Sequence, residues 1–239
     1  MIKWLEEIDR TDIDSVGGKA AMLGGLKQAG FAVPNGFVVL PSTTDDVVRD
    51  AFDRLGARSV AVRSSAVSED GINHSWAGEL HSFMSVSREQ LLERIEGCRA
   101  SKDSSRAQGY AKVSGTSGMV AVLVQAMVAS EISGVAFSAH PVTGNREQIM
   151  IEAAKGLGEL VVSGLVTPEH IVVSAIDGVI IEHHHERRAL MSAMMIKELS
   201  IAVKKIEHWL SAPCDVEWAF EKDRLWVLQA RPMTALPLA

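Results

Sequence analysis

Four polar side chains interrupt an otherwise apolar strand pair in "CDVEWAFEKDRLWVLQARPMT", residues 214–234: Asp215, Glu217, Gln229 and Arg231. Residues directly opposed on antiparallel strands share a face. If Glu217 opposes Gln229, the turn centres on Asp223 and Asp215 opposes Arg231, so all four polar groups gather on one side. The other side becomes Val216, Trp218 and Phe220 against Ala230, Leu228 and Trp226, a good core face. A slip of one residue would scramble both faces. Two carboxylates and an amide oxygen aimed at one point suit Mg2+, which takes oxygen ligands, keeps waters and is usually completed by substrate phosphates. A neighbouring arginine adds a rigid fork for phosphate oxygens. The same alternation would also serve the solvated outer face of an ordinary hairpin.

Three further stretches carry compatible chemistry. "VGGKAA" (16–21) sets Lys19 beside two glycines at a helix start, where the backbone can approach an anion. "AVRSSA" (61–66) puts Arg63 at the end of an apolar strand, and "EAAKGLGELVVSG" (152–164) is a Gly-rich turn leading to Glu159. Taken singly, these read equally as a surface lysine, a structural arginine and a cap. The run His183-His184-His185 is poor geometry for one metal, because adjacent residues on a strand point to alternate faces. His81 and His140 are polar-loop histidines, and the methionines of "LMSAMMIKEL" fall at helical spacing and read as core packing.

The elements that must position these groups follow from local patterning. Helices are expected over Lys19–Ala29, Asp45–Leu55, 88–112 and 190–210, with Gly30 ending the first. Strands are expected at "FVVL", "SVAVRSS", Leu80–Val86, Met119–Val128, Gly134–Ser138 and "QIMIEAA". "HIVVSAIDGVIIEH" reads as a hairpin turning at Asp177-Gly178. The polar loop 64–79 is too long for a simple connection. The whole reads as α+β in two lobes, 1–115 and 116–239.

The composition is ordinary for a globular protein, with 47% hydrophobic and 23% charged residues. A net charge of −6 without a basic block argues against a duplex nucleic acid partner. Two cysteines without a CxxC pair give no disulfide framework, so a reducing cytoplasm is the simplest compartment. "MIKWLEEIDR" lacks a signal-peptide pattern, and no apolar run is long enough to cross a bilayer.

Seven blocks in order, "VGGKAAMLGGLKQAGFAVPNGFVV", "VAVRSSAVSED", "SWAGELHSFMSV", "VLVQAMV", "SGVAFSAHPVTG", "GLGELVVSG" and the closing hairpin, span nearly the whole chain. Together they resemble the nucleotide-binding half of phosphoenolpyruvate synthase and pyruvate phosphate dikinase, a module shared with rifampicin phosphotransferase. The resemblance implies an ATP-grasp-like fold with ATP held between two lobes. It implies that Lys19 and Arg63 contact the ATP phosphates, that Glu217 and Gln229 ligate Mg2+ with Asp215 in support, and that Arg231 clamps a phosphate. Gln125 and the backbone near Met127 and Val128 would meet adenine, and Glu159 the ribose or a base edge. One block departs from the family: relatives often read "FAGQ", an acid and Thr where this chain has Trp76-Ala77-Gly78-Glu79-Leu80-His81-Ser82. Ser82 keeps a hydroxyl, whereas Glu79 adds an acid that would weaken ATP binding or change how the loop closes. These 239 residues show neither a swivelling phosphohistidine domain nor a phosphoenolpyruvate-binding barrel. The expectation is a dikinase-type phosphotransferase whose acceptor is a histidine on a separate protein or a small-molecule hydroxyl. The alternatives are a non-catalytic ATP-binding regulatory subunit and an ATP-grasp ligase forming an acyl phosphate.

Overall fold

Short runs of Val, Ile, Phe and Ala, broken by glycine and polar turns, assemble into two separate antiparallel sheets. The computed structural model describes residues 1–66, 82–100, 120–156, 167–185, 188–233 and 236. The chain divides into two units, residues 1–30 with 34–127, and residues 31–33 with 128–239.

In the first unit, strand β1 (Ile2–Trp4) and a 3-10 turn (Leu5–Glu7) precede helices α1 (Ile13–Val16) and α2 (Gly18–Gln28). Next come β2 (Gly36–Val39), α3 (Asp45–Leu55), β3 (Val60–Ser65), β4 (Ser82–Val86), α4 (Leu91–Ala100) and β5 (Ala121–Ala126). The sheet order is β1-β2-β5-β3-β4. Helix α3 begins with Asp45 and Asp46, whose charge favours an N-terminus, and stops at Gly56 in the left-handed region (φ 68°). Val48, Ala51 and Phe52 of α3 and Leu91, Ile95 and Cys98 of α4 pack on Phe37, Val39, Val60, Val62, Val122 and Val124. By alternation, Ala61, Arg63 and Ser65 point to the opposite face of β3, and all six residues of that strand are buried.

The second unit contains β6 (Ile132–Phe137), β7 (Gln148–Lys155), β8 (Glu169–Ser174), β9 (Ile180–His184), α5 (Ala193–Leu210), β10 (Cys214–Glu221) and β11 (Arg224–Pro232). Its strand order is β11-β10-β6-β7-β8-β9. The Ser192 hydroxyl accepts from the Met195 amide to cap α5, whose stripe of Ile196, Leu199, Val203, Ile206 and Leu210 is buried against the sheet. The covered face carries Val216, Trp218, Ala136, Ile151, Ile171 and Val173, all nearly inaccessible. On the other face Asp215, Glu217, Val135, Glu152 and His170 remain half-buried.

Most expected elements are present within a few residues, while β1 and α1 were not anticipated. The division falls after Met127 rather than near residue 115. The reason is β5, which pairs with β2 on one side and β3 on the other and so belongs to the first sheet. Among the described residues, no helix is long and apolar enough to cross a membrane.

Candidate nucleotide and metal site

The closing hairpin pairs Glu217 with Gln229 and Asp215 with Arg231, as the sequence suggests. The route to that register differs. Glu221 opposes Arg224, which leaves a two-residue turn at Lys222-Asp223, with Lys222 in the left-handed region (φ 55°). Continued regularly, that ladder would set Leu228 against Glu217 and turn Gln229 to the covered face. Instead the register shifts between Glu217 and Trp218: Trp218 opposes Val227, Glu217 opposes Gln229, and Leu228 is the extra residue of a bulge. The core pairing is therefore Trp218 with Val227 and Phe220 with Leu225, not with Leu228 and Trp226. The bulge keeps Gln229 and Arg231 on the same side as Glu217 and Asp215.

The Arg231 Nε donates to both oxygens of Asp215, at 3.0 and 2.8 Å. Asp215 thus orients the guanidinium. Gln229 is 6% exposed, and its Oε1 is buried without a hydrogen-bond partner among the described residues. An unpaired buried acceptor opposite a carboxylate fits a cation that takes oxygen ligands. No group of three or more His, Cys, Asp or Glu among the described residues is arranged to hold a metal. A Glu and a Gln alone suit Mg2+, whose remaining ligands are waters and phosphate oxygens.

Across the same face the pairing continues Glu217 to Val135, Glu152, His170 and His184, so three further polar groups extend the row. Glu152 and His170 were not singled out in the sequence, although their place among alternating apolar residues was visible. The histidine run splits as strand geometry requires. His183 lies on the covered face, hydrogen-bonded to the buried Glu169, and the His184 ring stacks on His170 at 6.2 Å between centroids. Glu169 also accepts from the Leu190 and Met191 amides at 2.7 and 3.2 Å, pinning the approach to α5. An acid just after Pro168 at the head of an apolar strand was the available signal. The His140 Nδ1 accepts from the Val142 and Thr143 amides, 3.3 Å each, and so shapes its own turn.

In the first unit, Arg63 (7% exposed) and Gln125 (3% exposed) share one sheet face, and Ser82 opposes Arg63 across β3 and β4. Lys19 is half-buried in the first turn of α2, which docks at the end of β3 through Ser65 and Ala66. The Nε2 of Gln125 is buried without a partner among the described residues. Met127 follows β5, its amide donating to the Ser59 carbonyl, and Val128 opens the second unit. Glu79, His81 and Glu159 lie outside the described residues.

The sequence profile of the pyruvate phosphate dikinase AMP/ATP-binding domain matches residues 38–195 and 181–238. The chain belongs to this family. Curated relatives include the prodigiosin-synthesizing transferase PigC of Serratia marcescens, 32% identical over 82% of this chain and 25% of its own length. A rifampicin phosphotransferase from Streptomyces is 32% identical over 97% of this chain and 29% of its own. A probable phosphoenolpyruvate synthase of Archaeoglobus fulgidus is 31% identical over 98% of this chain and 42% of its own. The chain therefore spans less than half the length of each of these relatives. In this dikinase-family domain the candidate residues divide by unit, with Lys19, Arg63 and Gln125 in the first and Glu217, Gln229 and the Asp215-oriented Arg231 in the second.

Proposed function

We propose that this domain is an ATP- and Mg2+-dependent phosphotransferase of the dikinase type, with an ATP-grasp arrangement. The observation that carries this reading is the buried Gln229 Oε1, unpartnered among the described residues and directly opposite Glu217, beside an arginine held in place by Asp215. Glu217 and Gln229 would hold Mg2+, which when bound neutralises phosphate charge and orients the polyphosphate. Arg231, fixed at its Nε by Asp215, keeps the outer edge of its guanidinium directed at phosphate oxygens. Lys19 and Arg63 add positive charge from the first unit, and Gln125 receives an acceptor on the adenine edge. Phosphoryl transfer depends mainly on such positioning and charge stabilisation, so a site built from cations and metal ligands suffices for it.

In the dikinase reaction ATP, water and an acceptor give AMP, inorganic phosphate and a phosphorylated acceptor. The acceptor proposed here is a histidine on a separate protein or a small-molecule hydroxyl. The test incubates the full chain with Mg2+ and ATP labelled at the β and γ positions, alone and with candidate acceptors of both kinds. Mg2+-dependent ATP binding and acceptor-dependent release of AMP are expected. Both should be abolished or severely reduced in Glu217→Ala and Arg231→Ala, with the fold retained by circular dichroism. Release of ADP in place of AMP would point to ligase chemistry, and near-normal activity in both variants would remove the site.

A further inference from the structure

We propose that Ser65 is a positioning residue that fixes Lys19 relative to Arg63, making the two cations one preorganised polyphosphate clamp. This rests on the reading of Lys19 as a phosphate contact. Helices are ordinarily capped by the side chain of their own N-cap residue. Helix α2 has Gly17 at that position and so lacks such a side chain. Its cap comes from 45 residues further along: the Ala20 amide donates to the Ser65 hydroxyl at 3.1 Å, and the Gly18 amide donates to the Ala66 carbonyl at 3.0 Å. The residues on either side of Lys19 are thus both bonded to the end of β3.

Gly17 is what permits the approach. Its φ is 80°, and a Cβ there would lie 2.1 Å from the Ser65 carbonyl oxygen, so no other residue lets the helix begin against this strand. Ser65 is 1% exposed, and Arg63 lies two residues earlier on the same face of the strand. One buried hydroxyl therefore links the helix start that carries Lys19 to the strand that carries Arg63. Such a link lowers the reorganisation needed when two cations must meet one ligand together. Its effect should appear with ATP, whose phosphate chain can engage both, and not with AMP.

The test is a double-mutant cycle on the full chain, titrated with Mg2+·ATP and with AMP. Ser65→Ala should raise the ATP Kd about tenfold, in the range expected for losing one cap, and leave the AMP Kd within about twofold. In the Lys19→Met background, Ser65→Ala should have no further effect on ATP. Because both nucleotides are titrated into the same preparation, any loss of folded protein lowers both alike and cannot imitate the split. Equal weakening of ATP and AMP, or a Ser65→Ala effect that persists in full without Lys19, would overturn the proposal. So would unchanged ATP binding in Ser65→Ala alongside a loss in Lys19→Met, which leaves the functional reading standing. Unchanged ATP binding in Lys19→Met would overturn both.

Discussion

Among the described residues each unit buries one glutamine in its sheet, and the two leave opposite ends of the amide without a partner. In the first it is the donor, Nε2 of Gln125, and in the second the acceptor, Oε1 of Gln229. A buried polar group with no bond costs about 1–3 kcal/mol, so native proteins rarely keep one without a use. A donor suits the ring nitrogens of a base, which are acceptors, and an acceptor suits a cation. Under the proposed function the difference assigns the two amides different ligands: Gln125 a base edge, and Gln229 a metal ion.

The comparison breaks most sharply at Gln229. Gln229→Leu keeps the shape and removes the acceptor, so Mg2+-dependent ATP turnover should fall by about a hundredfold or more, the scale of losing one group that stabilises developing charge. AMP binding without metal should stay near the wild-type value. Thermal stability should hold or rise, because an unsatisfied buried group is removed. Calorimetric titration of both nucleotides, with a melting curve, checks all three outcomes. Loss of AMP binding together with activity would show Gln229 to be structural.

Gln125→Leu should give the converse and smaller result. Losing one neutral hydrogen bond to the base should weaken ATP and AMP alike by about tenfold. The dependence of ATP binding on Mg2+ concentration should not move. A nucleotide with a different base separates the readings further, since the variant should discriminate less against it than the wild type does. A shift in the Mg2+ dependence in this variant would erase the division between the sheets.

How much of this was legible follows from how each sheet is buried. In the second unit α5 covers one face of the hairpin and leaves the other half-exposed, so Asp215 and Glu217 stand out against Val216 and Trp218, and the pairing could be derived. The bulge at Leu228 could not, because a leucine fits either side of a strand and only the two-residue turn forces the extra residue. Every residue of β3 is buried, so "VAVRSS" shows no alternation that would assign Arg63 or Ser65 to a face. The boundary was misplaced for a similar reason. The apolar run of β5 follows "SGTSG" and looks like the start of a new lobe, yet it completes a sheet whose other strands come much earlier in the chain. The cap that Ser65 supplies to α2 was beyond sequence reasoning, because nothing local to Ala20 names a partner 45 residues away.

The two buried cysteines provide the control for the glutamine comparison, with the smallest expected effect. Cys98 lies under the first sheet and Cys214 begins β10 in the second, and burial pushes both thiols up to about 12. Unlike amides, thiols are weak hydrogen-bonding groups that bury readily: the Cys98 Sγ donates to the Val62 carbonyl at 3.6 Å, and at Cys214 it is the backbone amide that donates, to the Ser138 hydroxyl at 2.8 Å. Neither needs a ligand, so neither unit should differ from the other here. Both thiols should resist iodoacetamide at pH 8 in the native protein, and nucleotide should not alter that. In the unfolded chain they ionise near pH 8.5. A folded pKa raised above that value favours the native state fully below pH 8.5, and the contribution is lost as pH rises towards 12. At pH 9 the loss should be less than about 1 kcal/mol per thiol, and the Cys98→Ala/Cys214→Ala double variant should flatten the fall in melting temperature between pH 8.5 and 10.5. Rapid native labelling of one thiol and not the other would mean that one sheet opens on its own. The unpartnered amide in that sheet would then report local opening in place of a ligand.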